Sequence, residues 1–206
     1  MVRFSQQDRE RITAAIHTAE KRTSGEFVAM VAGASDSYLS FALLWAAGLV
    51  FLLPAPFLLF AAPVRYLHIY QLQLLAFIAL TLLFEFLPAL HMALVPKHVK
   101  HARASRLAHA QFYERGVHVT REHSGVLFFV SLAEHYVEIV ADKGIHEKVG
   151  EGAWGRIVKL FVDEVQKGDV TSGFVSAIEA CGDAMARHYP TTPDDQDELS
   201  DGLIEI

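Results

Sequence analysis

The chain has 206 residues and is short of three things: cysteine, charge in its middle, and bases at its end. The single cysteine, Cys181, excludes an internal disulfide and a cysteine-built zinc site. Between residues 39 and 95 the only charged side chains are Arg65 and Glu85. After Pro190 there is no Lys or Arg, while Asp194, Asp195, Asp197, Glu198, Asp201 and Glu205 account for the whole formal net charge of −6. Residues 1–190 are therefore neutral, which excludes a basic nucleic-acid binder. A 52% hydrophobic composition excludes a disordered chain. The opening MVRFSQQDRERITAAIH lacks the apolar core of a signal peptide, so export by that route is not expected. No P-loop, GxGxxG or nucleophile elbow is present.

What is present begins with hydrophobic length. From Phe41 to Ala62 the chain reads FALLWAAGLVFLLPAPFLLFAA, 22 residues without a charge. Roughly 20 such residues cross the roughly 30 Å of bilayer hydrocarbon as a helix. After a break at Pro63, Arg65 and His68, a second apolar run covers about Tyr70 to Leu90. Two spans with a short polar turn predict a transmembrane hairpin over 39–95, with the lipid bilayer as partner. The alternative, two buried core helices, leaves too little other chain to cover them. Lys21 and Arg22 before the hairpin, and Lys97, Lys100, Arg103 and Arg106 after it, outweigh Arg65 in the turn. The positive-inside rule then places both flanks, and both termini, in the cytoplasm. Pro54 and Pro56 predict a kink, since each lacks a backbone N–H. Glu85, about one turn before Pro88, is expected to pair with His91 or to reach the headgroups.

The polar sequence falls into two pieces, 1–38 and 96–190, expected to form one discontinuous domain. Ser5 and Asp8 have capping-box spacing, and Ile12, Ala15, Ile16 and Ala19 recur at helical period. Residues 26–32 (EFVAMVA) are apolar on both alternations, as in a central strand covered on two faces. Residues 97–115 predict a helix stopped by Gly116. Residues 125–131 and 136–141 predict strands joined by a turn at Leu132–His135. Two striped helices close the domain, one through Trp154, Val158, Phe161 and Val165, the other through Phe174, Ile178, Cys181 and Met185. A strand–helix–strand order predicts a crossover joining two parallel strands, with the hairpin inserted in it. The fold class is therefore α/β, a small mixed sheet with helices on both faces. The acidic residues 191–206 are expected to be a disordered tail.

These elements resemble the TPM domain family of bacterial membrane proteins and plant thylakoid proteins. The resemblance rests on Ala19-Glu20-Lys21-Arg22-Thr23-Ser24-Gly25-Glu26, on Ser124-Gly125-Val126-Leu127-Phe128-Phe129-Val130-Ser131, and on Ile139-Val140-Ala141-Asp142-Lys143-Gly144-Ile145. Trp154, Gly168-Asp169, Gly173, Ala177-Ile178, Gly182 and His188-Tyr189-Pro190 extend it. It looks most like a bacterial branch whose domain is interrupted by a transmembrane hairpin, which implies an inner-membrane location. The family implies a small sheet between helices and three kinds of role: acid phosphatase, calcium binder, or accessory factor of a membrane-protein complex. The accessory role is the first expectation, with a divalent-metal-dependent phosphatase as the alternative.

Glu26, Glu122, Glu138 and Asp142 are the acids nearest strand ends or faces. Carboxylates gathered at one sheet edge suit Ca²⁺ or Mg²⁺, which take oxygen ligands, and such an ion assists phosphoester hydrolysis. Glu26 and Asp142 are the better metal candidates because both lie in the matching motifs. Set against this, Glu26 suits a strand flank, Glu138 a solvent-facing position and Asp142 a turn before Gly144. His98 and His101 share a helix, but two imidazoles do not make a zinc site. The bases around them suit anionic headgroups instead. Cys181 and Trp154 sit on apolar stripes and are expected in the core.

Overall fold

The computed structural model describes residues 4–56, 65–120, 122–191, 199 and 202–206. It divides into two compact units, one from residues 1–35 and 101–206, the other from 36–100.

The first unit is built on a four-stranded mixed sheet. Its strands are β1 (Phe27–Ala32), β2 (Val126–Ser131), β3 (Tyr136–Ala141) and β4 (Ile204–Glu205), in the order β3-β2-β1-β4. β1 and β2 are parallel, with Phe27 opposite Val126 and Ala32 opposite Ser131. β2 and β3 form the antiparallel hairpin, with Val126 opposite Ala141. Every residue of β1 and β2 is buried, which explains why neither strand alternates between polar and apolar types.

Helices cover both faces. On one side Phe27, Ala29, Val31, Val126, Phe128 and Val130 meet α1 (Gln6–Glu20), α7 (Glu151–Gln166) and α8 (Val170–Ala186). Phe128, Phe161 and Phe174 interlock there edge to face, with ring centroids 5.2–5.6 Å apart, a favourable aromatic geometry. Trp154, Ile178 and Cys181 are buried in the same cluster. On the other side Val28, Met30, Leu127 and Phe129 meet Ala108 and Phe112 of α5 (Lys97–Glu114). The Ser5–Asp8 capping box opens α1, and Thr171 ties Asp8 to α8 by a 3.0 Å hydrogen bond. Gly125 has no substitute: a Cβ there would lie 2.0 Å from the Val117 carbonyl oxygen.

Two expectations are corrected here. The chain does not simply turn after Asp142, because a short helix, α6 (Lys143–Val149), follows with Asp142 as its N-cap. Nor is all of 191–206 a disordered tail. Residues 204–205 pair in parallel with β1, Met30 opposite Ile204 and Val31 opposite Glu205. The acids hid an apolar pattern, Leu203, Ile204 and Ile206, that finishes the sheet. Residues 192–198 and 200–201 lie outside the described residues.

The second unit holds α2 (Leu39–Leu52), α3 (Tyr66–Phe86) and α4 (Pro88–Leu94). Ala42 and Ala46 of α2 are buried with Phe84 of α3, and Gln73 donates to the Val50 carbonyl at 3.3 Å. At 1.5 Å per residue α3 is about 31 Å long and α2 about 21 Å. Among the described residues only α3 is therefore long and apolar enough to cross a membrane. α2 ends at Leu52, two residues before Pro54, which supplies no N–H to extend it. Residues 55–56 are helical again, and residues 57–64, with the rest of the expected 41–62 span, lie outside the described residues. The second run starts earlier than expected, at Tyr66, and breaks at Leu87, where Pro88 opens α4. Glu85 lies on α3 and is exposed; the side chain of His91 is not among those described, so their pairing is not either.

Candidate functional site

Glu26 precedes β1, Gly125 precedes β2 and Asp142 follows β3, so all three stand at the same end of the sheet. The Val126 N–H donates to the Glu26 carbonyl at 2.9 Å, and the Asp142 N–H donates to the Gly125 carbonyl at 2.9 Å. Sequence reasoning thus picked two acids that topology does bring to one edge. They flank β2 on opposite sides, two strand spacings or about 10 Å apart.

Each acid has a distinct setting. Glu26 is buried. Glu122 is exposed and accepts from the Ser24 hydroxyl at 2.9 Å. Asp142 uses one carboxylate oxygen to cap α6, accepting from the Lys143 N–H at 2.6 Å. Its other oxygen faces His123 Nδ1 at 3.2 Å. Glu138 is not at this edge. It lies mid-strand on β3, where its carboxylate is half-buried and 4.0 Å from His109 Nδ1, which corrects its expected solvent-facing position. The Tyr136 ring beside it contacts the His101 ring at 5.1 Å, and burial pushes the Tyr136 hydroxyl pKa up.

His123 is the group that sequence reasoning missed. Its backbone sits in the left-handed region, φ +52°, uncommon for a residue other than glycine. Its side chain is 71% exposed while that of Asp142 is 14% exposed. A mostly buried carboxylate thus faces Nδ1 of a largely exposed imidazole, a contact that orients the ring. Gly144 permits it, since a Cβ there would lie 2.8 Å from the His123 carbonyl oxygen. The only signal in the sequence was position, two residues before a matching Gly125.

Hydroxyls line the same edge. Thr23 Oγ1 donates to the Tyr189 carbonyl at 2.6 Å, the Ser24 N–H donates to the same carbonyl at 3.0 Å, and the Ser124 N–H donates to Thr120 Oγ1 at 3.1 Å. The first two bonds knit the segment after α8 to the segment before β1, and the Ser124 hydroxyl, donating to the Ser24 carbonyl at 3.4 Å, joins the segment before β2 to it. As a cation site the arrangement is incomplete. Ca²⁺ takes six to eight oxygens, both Asp142 oxygens already have partners, and no group of three His, Cys, Asp or Glu is placed to hold a metal among the described residues. Cys181 is fully buried and desolvation pushes its thiol pKa up, so it is not a nucleophile.

At the opposite end of the sheet Glu134 is buried in the β2–β3 turn. It accepts from the Ser35 N–H at 2.9 Å and from the Ser131 hydroxyl, while the two serine hydroxyls meet at 2.8 Å. These bonds tie the exit of β1 to the hairpin, which is a structural role.

A mixed four-stranded sheet between helices, with acids and a histidine gathered where β1 and β2 begin, defines the class as a small α/β domain. The sequence model of the TPM domain family matches residues 90–184, so that stretch of the chain is similar to a TPM domain. Among solved structures, the NMR structure of the BA42 protein from the psychrophilic bacterium Bizionia argentinensis is similar in fold. Its TM-score is 0.63 at 19% identity, covering 98% of this chain and 95% of that one. No curated protein matches.

Proposed function

We propose that the chain is an integral membrane protein of the bacterial inner membrane. Residues 39–95 form its transmembrane hairpin, and both termini and the TPM-like domain lie in the cytoplasm. In this reading the domain serves as an accessory factor that binds or positions a membrane-protein complex. One observation carries it: α2 and α3 expose Leu44, Phe51, Leu52, Leu67, Leu74 and Leu75, each more than 60% accessible. Water does not tolerate so large an apolar surface, whereas acyl chains do. Lys97, Lys100, Arg103 and Arg106 then sit where anionic headgroups attract bases. Reporter fusions at residue 66 and after residue 206 test it. Opposite sides, with residue 206 cytoplasmic, are expected; an external signal after residue 206 would overturn the assigned orientation.

A second reading, phosphoester hydrolysis, is favoured by the convergence of Glu26, Glu122, His123 and Asp142 at one sheet edge. Ca²⁺ or Mg²⁺ would draw further oxygens from water and substrate. Purified protein should then hydrolyse p-nitrophenyl phosphate, respond to added Ca²⁺ or Mg²⁺, and lose activity in Glu26→Ala and Asp142→Ala. No turnover under any of these conditions leaves the accessory role alone.

A further inference from the structure

The fourth strand of the sheet is its shortest and stands at its outer end. β4 is two residues long, Ile204–Glu205, and lies at the end of the strand order beside the fully buried β1. Around it the Ile206 N–H donates to the Val31 carbonyl at 3.0 Å, and the Gly33 N–H donates to the Ile206 carbonyl at 2.9 Å. Its side chains are sorted by face. Leu203 packs against the cluster of α1, α7 and α8, whereas Ile204 packs against the cluster of α5. Between them in chemistry stands one charge contact, Arg9 Nε to Glu205 Oε1 at 2.7 Å, with both side chains well exposed. The edge of β1 therefore reads an extended segment by main-chain hydrogen bonds, alternate apolar pockets and one cation, which is how β-strand addition gains affinity and specificity.

We propose that the outer edge of β1 is a peptide-binding groove, and that β4 is its internal occupant. The ligand it fits is an extended segment of a partner protein with the pattern apolar–apolar–acid–apolar, docking parallel to β1 with its acid on Arg9. Binding requires release of β4. A two-residue strand with an exposed ion pair belongs to the low-stability end of a domain, which favours that release. The inference names the partner chemistry for the accessory role proposed above, but its test uses the α/β unit alone as readout and involves no bilayer. A failed peptide result and a failed topology result are therefore separable.

The probe is a fluorescent peptide of residues 199–206, LSDGLIEI, titrated into detergent-solubilised full chain and into a chain lacking residues 203–206. Fluorescence polarisation should show saturable binding to the shortened chain and at least about tenfold weaker binding to the full chain, whose own β4 competes at high effective concentration. A peptide carrying Glu205→Lys should bind the shortened chain several-fold more weakly, and Arg9→Glu in the chain should restore it. Where the shortened chain loses its native circular dichroism, full-length Glu205→Lys replaces it, and should bind the unmodified peptide several-fold better than the parent chain. Equal binding to the full and shortened chains, or none by a folded variant, overturns the proposal. Exchange of β4 between two full chains, seen as a concentration-dependent dimer by sedimentation, overturns the partner assignment in favour of a second copy.

Discussion

Two regions of one chain treat the same residue types in opposite ways. In the α/β unit large apolar side chains point inward; among the described residues only Tyr113, Val119, Leu160 and Ile206 are exposed there. In residues 36–100 they point outward, from Leu39 on α2 to Leu90 on α4, and only Ala42, Ala46, Val50 and Phe84 of the α2–α3 pair are buried among their apolar residues. A core excludes water from its own side chains, whereas the described helices of the second unit leave most of their apolar surface accessible. The membrane reading proposed above rests on that contrast.

The largest test of that contrast is to cut a side chain in each region. Phe174→Ala removes the ring shared by Phe4, Phe128 and Phe161 and should cost the α/β unit about 3–5 kcal/mol. Phe51→Ala, at an exposed position on α2, should leave that unfolding transition within about 0.5 kcal/mol. Chemical denaturation followed by near-ultraviolet circular dichroism compares them, and equal losses would erase the distinction. Next in size, Leu75→Lys on α3 should oppose bilayer insertion by about 2.5–3.5 kcal/mol, read in a translocon insertion assay. The same charge at Leu160, exposed on α7, should not change membrane association.

Smaller effects sharpen the account of the α/β unit. Ser5→Ala removes the hydroxyl that accepts from the Asp8 N–H and should cost about 1 kcal/mol. The pH dependence has a definite sign. Hydrogen bonds from Ser5 hold the Asp8 pKa below its ordinary 3.8, and those from Ser172 do the same for Asp169 at the start of α8. Each group is depressed in the folded state, so its contribution is fully present above pH 3.8 and declines as pH falls below it. Thermal unfolding should therefore move to lower temperature in that acid window, and Asp169→Asn should flatten the decline. An unchanged profile would show that neither cap stabilises its helix.

Much of the architecture was legible because periodicity reports burial. The doubly apolar β1 and β2, the stripes of α7 and α8, and the Ser5–Asp8 cap follow from local pattern alone. What escaped had its cause in tertiary context. β4 was hidden because three apolar residues dispersed among acids carry no periodic signal until β1 offers an edge. The α6 helix is too short for its pattern to stand out. The site was half legible: Glu26 and Asp142 stand at one end of the sheet because parallel β1 and β2 start there and antiparallel β3 returns to it. His123 was not, since its role depends on a left-handed backbone and on Asp142, nineteen positions away. Glu138 was misplaced because alternation along β3 does not show that α5 covers that face.

The most direct test of the central claim is side-specific cysteine labelling in intact membranes. The native Cys181 is buried with its thiol pKa raised, so it gives little background. Ile78→Cys, midway along α3, and Val119→Cys, exposed on the α/β unit, are treated with a water-soluble maleimide in inside-out vesicles. The account predicts rapid labelling at 119 and none at 78 until the protein is denatured. Rapid labelling at 78 in the intact membrane would contradict it.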